Sequence, residues 1–121
     1  MKIVDLASIA TIPMDGNRGQ KKKIVDTSVG TQALDVHFNI LTPGGQRGKL
    51  HKHSMADNVY IVRSGEGELI VENKVYTIRK DQIVFIPAGT KHSLSNLSDQ
   101  PFEVFEIYAP AGDKFDFIAC E

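Results

Sequence analysis

The 121 residues include a single cysteine, Cys120, so no internal disulfide can form and a reducing compartment is expected. Its place beside the C-terminus favours an inert thiol over a nucleophile. No apolar run approaches the roughly 20 residues that a membrane-spanning helix needs. The opening MKIVDLASIA is charged again at Asp5, which makes a poor signal peptide, and a cytoplasmic setting is expected. Charge of either sign is not in excess: Lys+Arg number 14 against Asp+Glu 15, for a net −1. A nucleic-acid footprint needs clustered surplus base, so no nucleic-acid partner is expected. The one basic run, Lys21-Lys22-Lys23, is too short to change that and reads as a solvated strand edge. Also missing are a glycine-rich phosphate loop before a helix, a CxxC pair and a serine in a nucleophile elbow. The chain shows no internal repeat, low-complexity tract or linker.

What remains is the composition of an ordinary globule, 41% hydrophobic and 24% charged, expected to form one domain over residues 1–121. Residues 1–30 read as an N-terminal arm and the first strands: a short strand at Lys2–Leu6, a helical turn at Leu6–Ala10, a loop over 13–19, and a strand at Lys21–Thr27 that Gly30 ends. Ala33–Thr42 alternates, with Leu34, Val36, Phe38 and Ile40 apolar and Asp35, His37 and Asn39 between them; period two means a half-buried strand. Further strands are predicted at Leu50–His53, Asn58–Arg63, Glu68–Val71, Val75–Ile78, Ile83–Ile86, His92–Asn96, Phe102–Tyr108 and Phe115–Ala119, divided by Gly, Pro, Asn and Asp turns. About nine short strands and no long helix call for an all-β sandwich or barrel. Tyr60, Phe85, Phe102, Phe105 and Tyr108 are expected in the core or the wall of a pocket.

Chemistry concentrates in two stretches. His51 and His53 stand two apart, which on extended backbone puts both rings on one face. His92 follows a Pro/Gly turn at 87–89. Neutral imidazole is the commonest metal ligand, so these three are expected to converge inside a small barrel on one divalent transition metal. His37, with Asp35 and Asn39, forms a polar stripe that has two readings: a solvated strand face, or a lining of the barrel mouth that meets substrate.

The same stretches resemble the two motifs of the cupin superfamily. The first, over residues 45–65, reads Gly45, QRGKL, His51-Lys-His53, SMAD, Asn58, VYIVRS, Gly65. The second, over 81–96, reads Asp81, QIVFI, Pro87-Ala-Gly89, TK, His92, SLS, Asn96. Eight of the ten defining positions match. Asp81 replaces a glycine, a mild change, since Asp tolerates some of the same turn conformations. Asn58 replaces the family's glutamate ligand, and Asp57 beside it would face away unless a bulge turned it inward.

The resemblance implies a double-stranded β-helix (cupin or jelly-roll barrel), a homodimer with Val59 and Ile61 in a partner face, and one divalent ion such as Fe, Mn, Ni, Zn or Cu. It further implies His51, His53 and His92 as ligands with open positions beside them, and Asn58 as the group that orients a metal-bound water or substrate. With one carboxylate fewer, the site would favour a small anionic substrate. The expected activity is metal-dependent and oxygenase-type, ahead of isomerase or lyase chemistry. The alternative is a non-catalytic module that holds a small acid or sugar.

Overall fold

The structure is a computed structural model that describes residues 1–120. In chain order its strands are β1 (Ile12–Pro13), β2 (Gly19–Val25), β3 (Asp35–Leu41), β4 (His51–Lys52), β5 (Asp57–Ser64), β6 (Glu66–Val71), β7 (Lys74–Arg79), β8 (Ile83–Ile86), β9 (His92–Ser95), β10 (Phe102–Ala109) and β11 (Ile118–Ala119). They form two antiparallel sheets, one in the order β1-β2-β3-β10-β5-β8 and the other β11-β4-β9-β6-β7. This is the double-stranded β-helix barrel: two sheets face each other and enclose one interior.

Turn chemistry fixes the register. Between β6 and β7, Glu72 (φ 46°) and Asn73 (φ 69°) are both left-handed, as a two-residue hairpin turn of the strand-matched twist requires. Asp81 takes φ 70°, the conformation a glycine supplies freely, which is why this departure from the motif is tolerated. Gly65 is less replaceable: at φ +77° a Cβ there would stand 2.3 Å from the carbonyl oxygen of Pro101. Asn96 pins the end of β9. Its Nδ2 donates to the carbonyls of Leu41 at 2.9 Å and Gln100 at 2.8 Å, and its Oδ1 accepts from the Ser98 amide at 3.0 Å.

The inward residues change character along the barrel. On β3 they run Asp35, His37, Asn39, Leu41; on β5, Asn58, Tyr60, Val62; on β10 in reverse, Tyr108, Glu106, Val104, Phe102. Leu41 lies opposite Phe102 and Asp35 opposite Tyr108, so apolar residues gather at one end and polar residues at the other. The apolar end is the core: Leu41, Tyr60, Val62, Leu69, Ile78, Ile86, Leu94, Phe102 and Val104 are all buried in one cluster. The polar end is a cavity of about 650 Å³.

Several local expectations change. No strand forms at Lys2–Leu6; a helical turn at Leu6–Ser8 stands there, capped by the Asp5 carboxylate. Of Lys21–Lys23 only Lys21 is covered by β1, and it faces the cavity; Lys22 donates to the Leu6 carbonyl at 2.8 Å, and Lys23 is an exposed residue beyond the end of the β1 pairing. The alternation of β3 is real, but its polar phase is the inward one, since this end of the barrel encloses a site rather than a core. Its apolar phase packs outside, where Phe38 meets Phe105 at 4.8 Å and the Arg63 guanidinium covers the Phe38 ring. Phe85, on the edge strand β8, is 61% exposed and lies outside the core; it lines an outer apolar groove with Tyr76, Ile83 and Pro87. The last strand is only Ile118–Ala119, because Phe115–Phe117 leave the sheet to cover the histidines. Among the described residues, no helix is long and apolar enough to cross a membrane.

Candidate metal centre and pocket

The β4 and β9 strands are neighbours in the second sheet, and His51 lies directly opposite His92 in their register. His53 follows two residues after His51. The ligand-capable nitrogens of the three rings lie within 4.8 Å of one another, close enough to hold a metal ion. Their orientation is set from behind. The Nδ1 of His51 is 2.7 Å from the Lys49 carbonyl, that of His53 is 2.6 Å from the Asp116 carbonyl, and that of His92 is 2.9 Å from the Thr90 carbonyl. A carbonyl only accepts, so each Nδ1 must carry the proton and donate it. That leaves each Nε2 with its lone pair, the tautomer metal-ligating histidines adopt when a backbone carbonyl takes their other N–H; on His92 that lone pair has a long contact from the Asn58 amide at 3.3 Å.

Two more observations bear on the fit. His53 Nε2 is buried with no hydrogen-bond partner, an orphan that a metal ion would satisfy. Burial, as the largest cause, holds His51 down to about 4 and shifts His92 the same way, so both rings are neutral ligands at neutral pH. Phe117 stacks on His51 at 4.2 Å and Phe115 lies 4.7 Å from His53, sealing the outer side. The Asp116 carboxylate ties this segment down by accepting from the Ser54 amide at 2.7 Å and from the Ser54 hydroxyl. The donor set therefore suits a divalent transition metal.

Asn58 is fully buried on β5, with Nδ2 3.3 Å from His92 Nε2 and 3.4 Å from Glu106 Oε2; its Oδ1 has no partner. Asp57 points the other way and accepts from the Ala88 amide at 3.0 Å, and no bulge interrupts the ladder there. His37 sits on the cavity wall opposite Glu106 in the β3–β10 register, with its pKa lowered chiefly by burial. His51 lines the same cavity from the facing sheet, and His53, His92 and Asn58 are almost wholly buried.

The cavity also contains residues that the motifs did not point to. Glu106 is 8% exposed and accepts from Asn39 Nδ2 at 2.9 Å. It was legible in principle: in FEVFEIY the inward phase reads Phe102, Val104, Glu106, Tyr108, and a charged residue in a buried phase is a signal. Arg18 was not legible, because it comes from the loop before β2. Its Nη2 donates to the Leu94 carbonyl at 2.7 Å, and its Nε is buried without a partner. Gly48 makes room for it: a Cβ there would meet the guanidinium at 2.8 Å. Lys21, Lys49, Asp15 and Asp35 also line this cavity with Tyr60, Glu106 and Tyr108, and Arg47 on the same lining is paired with Glu68 at 2.7 Å.

A barrel of two antiparallel sheets defines a class, the small double-stranded β-helix proteins, here with three inward imidazoles close enough to hold a metal. Residues 38–108 match the family described as Cupin domain, and the chain belongs to that family. An uncharacterised protein of Methanocaldococcus jannaschii is 27% identical over 64 residues, which are 53% of this chain and 51% of that protein. A mannose-1-phosphate guanylyltransferase of Klebsiella pneumoniae is 33% identical over 82 residues, 68% of this chain and 17% of the enzyme. The chain thus spans about half of the first relative and a small part of the second. Among solved structures, the polyketide cyclase RemF from Streptomyces resistomycificus superposes with a TM-score of 0.86 at 17% identity, covering 100% of this chain and 86% of that one. A sugar phosphate isomerase of the cupin superfamily from Silicibacter pomeroyi gives 0.76 at 18% identity, covering 98% and 92%. At such identities the match concerns the fold.

Proposed function

We propose that this protein is a metal-dependent enzyme acting on a small anionic organic substrate. The observation that carries the reading is the trio of imidazoles, each with its Nδ1 on a backbone carbonyl and its ligand-capable nitrogen within 4.8 Å of the other two. His51, His53 and His92 would hold one divalent ion. When bound, that ion supplies Lewis acidity toward a substrate oxygen at a coordination position the protein leaves open. The other work falls to the chain itself. Arg18, held by Leu94, offers its unpartnered Nε to an anionic group, and Lys21 and Lys49 line the same cavity. Asn58 has its amide nitrogen toward His92 and Glu106, and we assign it the orientation of substrate beside the metal. His37 lines the wall as a substrate contact. Phe115 and Phe117 exclude water from the histidines.

The named chemistry of the structural neighbours, cyclisation and sugar-phosphate isomerisation, is compatible with this reading, as is the mannose-1-phosphate substrate of the sequence relative. The second reading, a binding module without turnover, is favoured by the sealed, fully buried placing of His53 and His92. Turnover of a small anion by metal-loaded protein decides between them. We further propose that the active form is a homodimer, on the apolar outer face of the larger sheet.

Elemental analysis of protein purified without chelators is expected to give about one metal ion per chain, as one three-imidazole site holds. His51→Ala should lose it. A variant with full metal content would remove these histidines as the ligands.

A further inference from the structure

Glu106 is a buried carboxylate that neither motif supplies, and its surroundings are unusual in being all donors. Asn39 Nδ2 reaches Oε1 at 2.9 Å, while Asn58 Nδ2 reaches Oε2 only at 3.4 Å. The Tyr60 and Tyr108 hydroxyls are also turned to this carboxylate; burial first, and then Glu106 itself, push both phenols well above their ordinary range, so both are neutral donors. An acceptor-only group among donors is the environment of an ionised carboxylate. Its two oxygens differ, however. Oε1 is tightly held, and Oε2 has a long contact on the side of the histidines. A single amide nitrogen, that of Asn58, separates Oε2 from His92 Nε2. Glu106 stands off the imidazole cluster and opens on the cavity, so a small molecule at the histidines has the carboxylate beside it.

We propose that Glu106 is the proton acceptor of this site, acting on an anionic substrate whose C–H bond adjoins a carbonyl. This rests on the metal-dependent reading above and names its reaction class. The C–H bond breaks, an O–H bond forms at Oε2, and the bonding pair moves into the adjoining carbonyl as an enolate. Charge balances, since the carboxylate is neutralised as the enolate forms, and no oxidant or reductant enters. Returning the proton to a neighbouring atom is an isomerisation, and losing a group beside the enolate is a lyase reaction. Asn39 fixes the carboxylate, and Arg18 holds the anionic end of the substrate across the cavity. The inference therefore moves the expected chemistry from oxygen insertion toward proton transfer.

The test uses the full-length protein with its metal content measured and two probes, pyruvate and dihydroxyacetone phosphate. Incorporation of deuterium at the carbon next to the carbonyl is followed by proton NMR in heavy water, without oxygen. The wild-type protein is expected to speed exchange of at least one probe; the arm that responds tells carboxylate from phosphate recognition. Glu106→Gln should lower that rate about 100-fold or more, the usual worth of a positioned acid–base group, with metal content unchanged. Calorimetry with oxalate, a dianion shaped like the enolate of pyruvate, supplies a readout independent of turnover. In buffers of different ionisation heat, wild-type binding should take up about one proton and Glu106→Gln none. If Glu106→Gln does not fold, Glu106→Asp keeps the charge but withdraws the oxygens, and should keep the proton uptake while losing most of the exchange rate. Exchange at the wild-type rate in a metal-replete Glu106→Gln protein overturns the inference. So does a metal-replete wild type that exchanges neither probe. Loss of metal binding as the primary failure would instead strike the reading beneath it.

Discussion

The most telling residue is Asn58. A carboxylate there would stand where the amide now lies 3.4 Å from the Glu106 carboxylate; in this chain the buried negative charge beside the histidines is on β10 and not on β5. Two buried carboxylates side by side repel unless a cation or a proton lies between them. Asn58→Glu is therefore expected to lower the melting temperature of metal-stripped protein. It should also widen the gap between stripped and metal-loaded forms, because the added charge faces the ion. A melting temperature unchanged in both forms would mean that position 58 meets neither Glu106 nor the metal. The three histidines were visible in the sequence by spacing and motif. Their tautomers were not, because Lys49, Thr90 and Asp116 contribute backbone carbonyls, which no residue identity encodes.

At the level of elements, the strands were legible because period two is strong in this chain, and their faces were not always so. The β3 strand shows the difficulty. Alternation says that Val36 and Phe38 share one side and His37 and Asn39 the other, but a barrel with a polar site inside reverses the usual assignment of which side is buried. The outer side is then continuously apolar. Across the registers, Ile83 and Phe85 on β8 lie beside Ile61 and Val59 on β5, these beside Phe105 and Ile107 on β10, and these beside Phe38 and Val36 on β3. Ile83 is 69% and Phe85 61% exposed, an apolar patch of the kind monomers rarely leave uncovered. Light scattering is expected to give twice the 13.3 kDa chain mass, and Phe85→Asp to give the monomer. A wild type that stays monomeric at all concentrations would show that this face is not a self-association surface.

For the whole molecule, the polarity gradient along the barrel links folding to acidity. His51 is held at about 4 in the folded state against 6.5 when free, and His37 and His92 shift the same way. Between those values the unfolded chain binds more protons, so stability rises with pH across that window and is fully present only above its upper end. The melting temperature of metal-stripped protein should fall as pH is lowered from 6.5 toward 4; a flat profile would mean that the imidazoles are more solvated than their burial indicates. The sequence by itself determined the strands from β2 to β10, most of the turns and the three ligand candidates, because alternation, left-handed turn residues and motif spacing are local properties of a chain. The tertiary structure alone decided the rest. Arg18 and Phe115 lie outside the motifs and join Glu106 in a pocket only when two sheets close, and whether a strand's polar side faces water or a site depends on what the opposite sheet brings to meet it.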